Sequence, residues 1–165
     1  MKHRHTLLLL LVLAAWVAAC KTPSLIESYS TQFGLMHFVK SVEFESKTNG
    51  SVEFDFTYRD NDTMMTICNF TIQSDSPEIY ALKQAYFART NTTLALDSLK
   101  LMFATRSEHS ARYTSFMTKD AFRTLFTGGD VDFVVQGKSQ SLKYEGRESF
   151  RKNARAVRLD VLNLP

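Results

Sequence analysis

Ser51-Val52-Glu53-Phe54-Asp55-Phe56-Thr57-Tyr58-Arg59 alternates over its whole length. Val52, Phe54, Phe56 and Tyr58 fall on one face of an extended chain, and Glu53, Asp55 and Thr57 on the other. A period of two with aromatic and β-branched residues on one side is the pattern of a half-buried strand. Immediately upstream stands Lys47-Thr48-Asn49-Gly50, and Asn-Gly is the strongest short hairpin signal, because both central positions of the favoured turn need a positive φ. Before it, Val39 to Ser46 alternates again, Val42 and Phe44 against Glu43 and Glu45. Downstream, Asp60-Asn61-Asp62 supplies a second turn, and Thr63 to Gln73 is rich in Thr, Ile, Phe and Met. Three strands joined by two tight turns make an antiparallel meander.

The remaining chain continues in this manner. Ser76-Pro77-Glu78 opens either a helix carrying Ile79, Leu82, Tyr86 and Phe87 or an irregular crossover. Leu96 to Thr105 and Ala111 to Met117 read as strands flanking the polar turn Arg106-Ser107-Glu108-His109-Ser110. Thr118 is placed to cap a short helix with Asp120 in its first turn, and Gly128-Gly129 stops it. This helix offers Phe122, Leu125 and Phe126 to a core. Val131, Phe133 and Val135 line one strand, Gln136-Gly137-Lys138 turns, and Leu142 and Tyr144 belong to the return. From Glu148 to about Leu162, Phe150, Ala154, Val157 and Val161 make a continuous helical stripe, with Arg147, Arg151, Arg155 and Arg158 on the neighbouring one. About seven strands and two helices, with no βαβ alternation, predict a mainly β fold: an antiparallel meander or sandwich-like sheet with a short helix and a C-terminal amphipathic helix packed on it.

The first residues have a different character. Met1-Lys2-His3-Arg4-His5 is basic, Leu7 to Ala19 runs thirteen residues without a polar side chain, and the run ends on Val17-Ala18-Ala19. That is the three-part layout of a secretory signal, and the run is short of the ~20 apolar residues a spanning helix needs. Val17-Ala18-Ala19-Cys20 further resembles the lipobox of bacterial lipoproteins, with valine where leucine is more usual. The resemblance covers these four residues and the apolar run before them. It implies that the Cys20 thiol receives a diacylglyceryl group, that the chain is cut before Cys20, and that the new amine is acylated. Two or three acyl chains hold a protein durably, at ~0.8 kcal/mol per buried methylene. Lys21, where an aspartate would resemble an inner-membrane retention signal, implies the outer membrane with the domain facing the periplasm. Asp62-Thr63-Met64 and Asp97-Ser98-Leu99 resemble the O-glycosylation tripeptide of the Bacteroidota. In general layout the chain is similar to small uncharacterised lipoproteins of Gram-negative bacteria, that phylum included; the mature domain carries the signature of no named family. The expected organisation is a signal peptide over 1–19, a lipidated tether over 20–37 and one globular β-rich domain over 38–165. Four Asn-x-Ser/Thr sequons, at Asn49, Asn61, Asn69 and Asn91, leave open a secreted eukaryotic glycoprotein with a Cys20–Cys68 disulfide.

Charge narrows the function further. The chain has a formal net charge of +3; Lys2 and Arg4 leave with the signal, so the mature chain is close to neutral, which gives nucleic acid no footing. The distribution is polarised. Between Ser41 and Glu78 stand eight acidic residues against Lys47 and Arg59, and between Lys138 and Arg158 seven basic residues against Glu145 and Glu148. Either the two ends pack together and neutralise, or Arg147, Arg151, Arg155 and Arg158 present a basic face to anionic lipid or an anionic envelope polymer.

Catalytic signatures are sparse. The mature chain has His37 and His109 only, lacks His-x-x-x-His and Cys-x-x-Cys spacing, and has no nucleophile elbow or phosphate-cradling glycine loop. No metal or cofactor is expected. Cys68, between Ile67 and Asn69 inside a strand, reads as a small buried hydrophobe. Asp60-Asn61-Asp62 resembles the start of a calcium loop, but Met65 and Thr71 stand where an EF-hand needs glycine and glutamate. The expectation is a lipid-anchored, non-enzymatic binding or assembly module of the cell envelope, held by acyl chains on Cys20 and partnered by envelope proteins or an anionic polymer. An envelope enzyme whose site gathers scattered carboxylates and a histidine, around Glu108 and His109 or the meander, is the alternative.

Overall fold

The computed structural model describes residues 24–32, 34–61 and 65–164. Ten antiparallel strands form one sheet. They are β1 (Ile26–Thr31), β2 (Gly34–Ser46), β3 (Gly50–Arg59), β4 (Met65–Gln73), β5 (Gln84–Arg89), β6 (Thr92–Ala95), β7 (Asp97–Thr105), β8 (Ser110–Thr118), β9 (Asp132–Gln136) and β10 (Ser141–Glu145). Two helices, α1 (Lys119–Phe126) and α2 (Glu148–Asp160), pack on it. The sheet order is β6-β5-β9-β10-β2-β3-β4-β8-β7, with β1 added on β2. The strands at the two ends, β6 and β7, are separated in the chain by Leu96 alone, so the sheet curls until it is nearly closed.

The meander β2-β3-β4 is the spine. Gly50 takes φ +82° in the β2-β3 hairpin, and a Cβ there would collide with the Gln73 carbonyl oxygen, so only glycine fits. Val52, Phe54, Phe56 and Tyr58 are buried, as their alternation requires. β2 bends where its register shifts between Val39 and Val42, with Ser41 at φ +56°. The bend divides one edge of the strand between two partners: β1 pairs with Gly34 to Val39, and β10 meets Glu45.

Nine of the chain's thirteen phenylalanines are buried together and make the core aromatic. Phe54 is at its centre, with ring centroids 4.7 Å from Phe133, 5.1 Å from Phe87 and 5.3 Å from Phe44. The Phe54 pairs with Phe44 and Phe133 are edge-on, and such pairs are worth ~0.5–1.5 kcal/mol beyond the area they bury. The helices cover the same side. Phe122 and Phe126 of α1 meet Phe56, and Phe150 of α2 meets Phe44 and Phe126. Thr118 caps α1, its hydroxyl accepting from the Ala121 amide at 3.1 Å. The expected stripe on α2 is buried from Phe150 through Ala154 and Val157 to Val161.

Two expectations change. The tether expected over 20–37 is strand from Ile26 onward: Ser28, Ser30 and Thr31 are polar because β1 is an exposed edge strand, not because the segment is unstructured. The helix over the residues after Ser76 is absent; Pro77–Tyr80 makes one 3₁₀ turn, and Gln84–Arg89 is strand, with Ala85 and Phe87 buried at period two. Thr92–Ala95 forms a short strand of its own. Among the described residues, no helix is long and apolar enough to cross a membrane.

Candidate functional site

The arginine stripe flanks the buried face of α2, and the fold treats its members differently. Arg147, at the start of the helix, donates to Glu45 of β2 at 2.8 Å. Arg151 is bound by Asp130, whose carboxylate holds the guanidinium protonated. Arg158 is half-buried, its Nε enclosed without a hydrogen-bond partner. Arg155 alone of the four stands exposed with no ion pair among the described residues. The Arg147–Glu45 bond joins the basic C-terminal segment to the acidic meander, so the two ends do neutralise in part. Lys152 and Leu159, outside the arginine stripe, join Arg155 on the outer crest of α2. Lys152, Arg155 and Leu159 share one side at helical spacing, and Leu159 is 49% exposed.

His109 takes the left-handed conformation at φ +50° in the turn before β8. Its Nδ1 lies 2.6 Å from Asp75, not against Glu108, and Arg106 stacks 5.8 Å from the Tyr80 ring in the same open groove. Asp75 and His109 are both well exposed, which leaves the pair in water. His37, by contrast, is buried, with Nδ1 2.7 Å from the Ser28 hydroxyl and Nε2 3.7 Å from Asp60. It has the partners of a structural histidine.

Cys68 is fully buried on the inner face of β4, and burial pushes its thiol well above the ordinary range, the Asp55 charge adding to the effect. On the opposite face, Glu43 and Glu53 stand directly across from each other in the β2-β3 pair. Asp55 is engaged by Arg112 and by the Asn69 amide at 2.8 Å, while Arg112 also donates to Thr71 at 2.8 Å. The meander carboxylates are thus held by cations or spread over solvent. No group of three metal-ligating side chains occurs among the described residues. At the Asp60 turn the backbone carbonyl is taken by Lys119 Nζ at 2.8 Å; Asp62 lies outside the described residues. Of the sequons, Asn49, Asn61 and Asn91 are at hairpin turns, whereas Asn69 is within β4 with its amide bonded to Asp55.

One surface feature had no sequence signal beyond being a strand. β7 pairs with β8 on one side and ends the sheet on the other, and it exposes Leu101, Met102 and Phe103 in succession. Register shifts on both sides of Lys100-Leu101 kink it. Cys20 lies outside the described residues. No family model, no curated protein and no solved structure matches the chain.

Proposed function

We propose that the chain is a lipid-anchored lipoprotein of the cell envelope, exported by residues 1–19, acylated on Cys20 and held on the periplasmic face of the outer membrane. There it works as a non-enzymatic binding or assembly module. The observation that carries this is the placement of Val17-Ala18-Ala19-Cys20 at the end of the apolar run. Two structural facts support it. Cys68 is enclosed in the aromatic core, where a disulfide to Cys20 would require the tether to enter the packed interior. The inner side of the sheet is filled by phenylalanine, so recognition falls to outer surfaces such as the Leu101-Met102-Phe103 edge, and exposed apolar clusters mark docking sites.

The test is fractionation of the native envelope. The chain should sediment with the outer membrane and resist protease added to intact cells, and Cys20→Ala should move it out of the mature, membrane-bound fraction. Retention of the variant in the membrane as a mature chain would sink the anchor, and glycans on Asn61 or Asn91 would turn the reading to a secreted glycoprotein.

A further inference from the structure

From the geometry of its attachment, we infer that the outer crest of α2 seats the domain on a bilayer containing anionic lipid. The inference deepens the lipoprotein reading and rests on it. The anchor would be at Cys20, and the first strand begins at Ile26, so the chain between Cys20 and Leu25 reaches at most ~17 Å even fully extended. Leu25 is fixed: its carbonyl accepts from the Lys40 amide at 2.8 Å. The next residue, Ser41, accepts through its own carbonyl from Asn153 Nδ2 of α2 at 3.3 Å. Leu25, where the chain from Cys20 would enter the fold, is thus linked through Lys40 and Ser41 to Asn153 on the flank of α2, and a short tether would hold this end of the molecule close to the membrane.

What that side presents suits lipid. Lys152 and Arg155 are exposed, and Leu159 follows them on the crest one turn beyond Arg155. An exposed apolar side chain on the same helix face as two cations gains from the headgroup–acyl boundary and gains nothing from a hydrated anionic polymer, which favours the bilayer as occupant. Arg147, Arg151 and Lys40 contribute little net charge, because Glu45, Asp130 and Glu27 pair with them. Glu148 and Asp160 are the unfavourable groups of the helix, and Glu148 shares the crest. The attraction is weak, but tethering converts it to an intramolecular contact, where weak attraction suffices.

The chain is purified from its native membrane, checked by intact mass, and reconstituted into vesicles of phosphatidylethanolamine with phosphatidylglycerol or of phosphatidylcholine alone. A polarity-sensitive thiol dye on Leu159→Cys reports insertion, Cys68 being buried beyond its reach. A blue shift on anionic vesicles only, abolished by Lys152→Glu with Arg155→Glu, is the expected result. Each basic residue near an anionic surface is worth about fivefold in partitioning, so the double reversal should weaken seating by on the order of twentyfold or more. Both side chains are exposed, so an unchanged melting curve of the reversed variant certifies its fold. An acylated chain whose dye emits alike on both vesicles overturns the seating and leaves the anchor standing. A chain without acyl mass overturns the anchor and the inference together.

Discussion

At the scale of single residues, several side chains sit in environments that differ from what their type suggests. Phe54 touches Phe44, Phe56, Phe70, Phe87 and Phe133 at once, so its loss opens a cavity that no single neighbour can fill. Phe54→Ala should cost about 3–5 kcal/mol in urea denaturation; a loss under about 1 kcal/mol would mean the core is not packed as described. Tyr144 is fully buried and its hydroxyl finds no hydrogen-bond partner of normal geometry. Burial pushes its pKa up to about 12, against the opposing effect of the Ser74 hydroxyl. The unfolded chain therefore loses this proton first, near pH 10, while the folded chain keeps it. Stability from this group is complete below pH 10 and falls as pH rises toward about 12, by up to about 3 kcal/mol. Tyr144→Phe should flatten that alkaline decline and, by removing an unsatisfied buried hydroxyl, leave stability at neutral pH unchanged or about 1 kcal/mol higher. A variant less stable at neutral pH would show that the hydroxyl is satisfied after all.

At the scale of elements, what the sequence revealed follows from how strongly one face outweighed the other. β3 was legible because Val52, Phe54, Phe56 and Tyr58 alternate with Glu53, Asp55 and Thr57, and β2 followed from Asn49-Gly50. Gly50→Ala tests that hairpin: positive φ and the Gln73 carbonyl together should cost at least about 1–2 kcal/mol by thermal melting. A neutral substitution there would mean a different turn. α1 and α2 were legible from the Thr118 cap and from the stripe Phe150-Ala154-Val157-Val161. β1 was missed since neither face of Ser28-Tyr29-Ser30-Thr31 is buried, and a strand paired on one edge with both faces wet has no period to read. The residues after Ser76 misled because Ser76 does cap a turn, its hydroxyl accepting from Glu78, yet the turn is 3₁₀ and ends at Tyr80. Tyr86 and Phe87 then fit a helical side as readily as a strand pleat. On α2 the arginine stripe was visible, but its partners were not: Glu45 and Asp130 are distant in sequence and become neighbours only through the curled sheet.

At the scale of the whole molecule, the fold reads as a nearly closed antiparallel sheet packed with phenylalanine. Outside it lie a kinked apolar edge at β7, an open Asp75–His109 groove, and the exposed Lys152, Arg155 and Leu159 of α2. The first strand among the described residues begins six residues after Cys20, so the proposed anchor would be a structural constraint as well as an address. Intact mass of the protein purified from its native membrane, measured beside Cys20→Ala, tests this most directly. The account predicts a chain beginning at residue 20 and heavier by two or three acyl chains, with that mass absent from the variant. A chain of unmodified mass, or one carrying glycans and lighter by the two hydrogens of a disulfide, would contradict it.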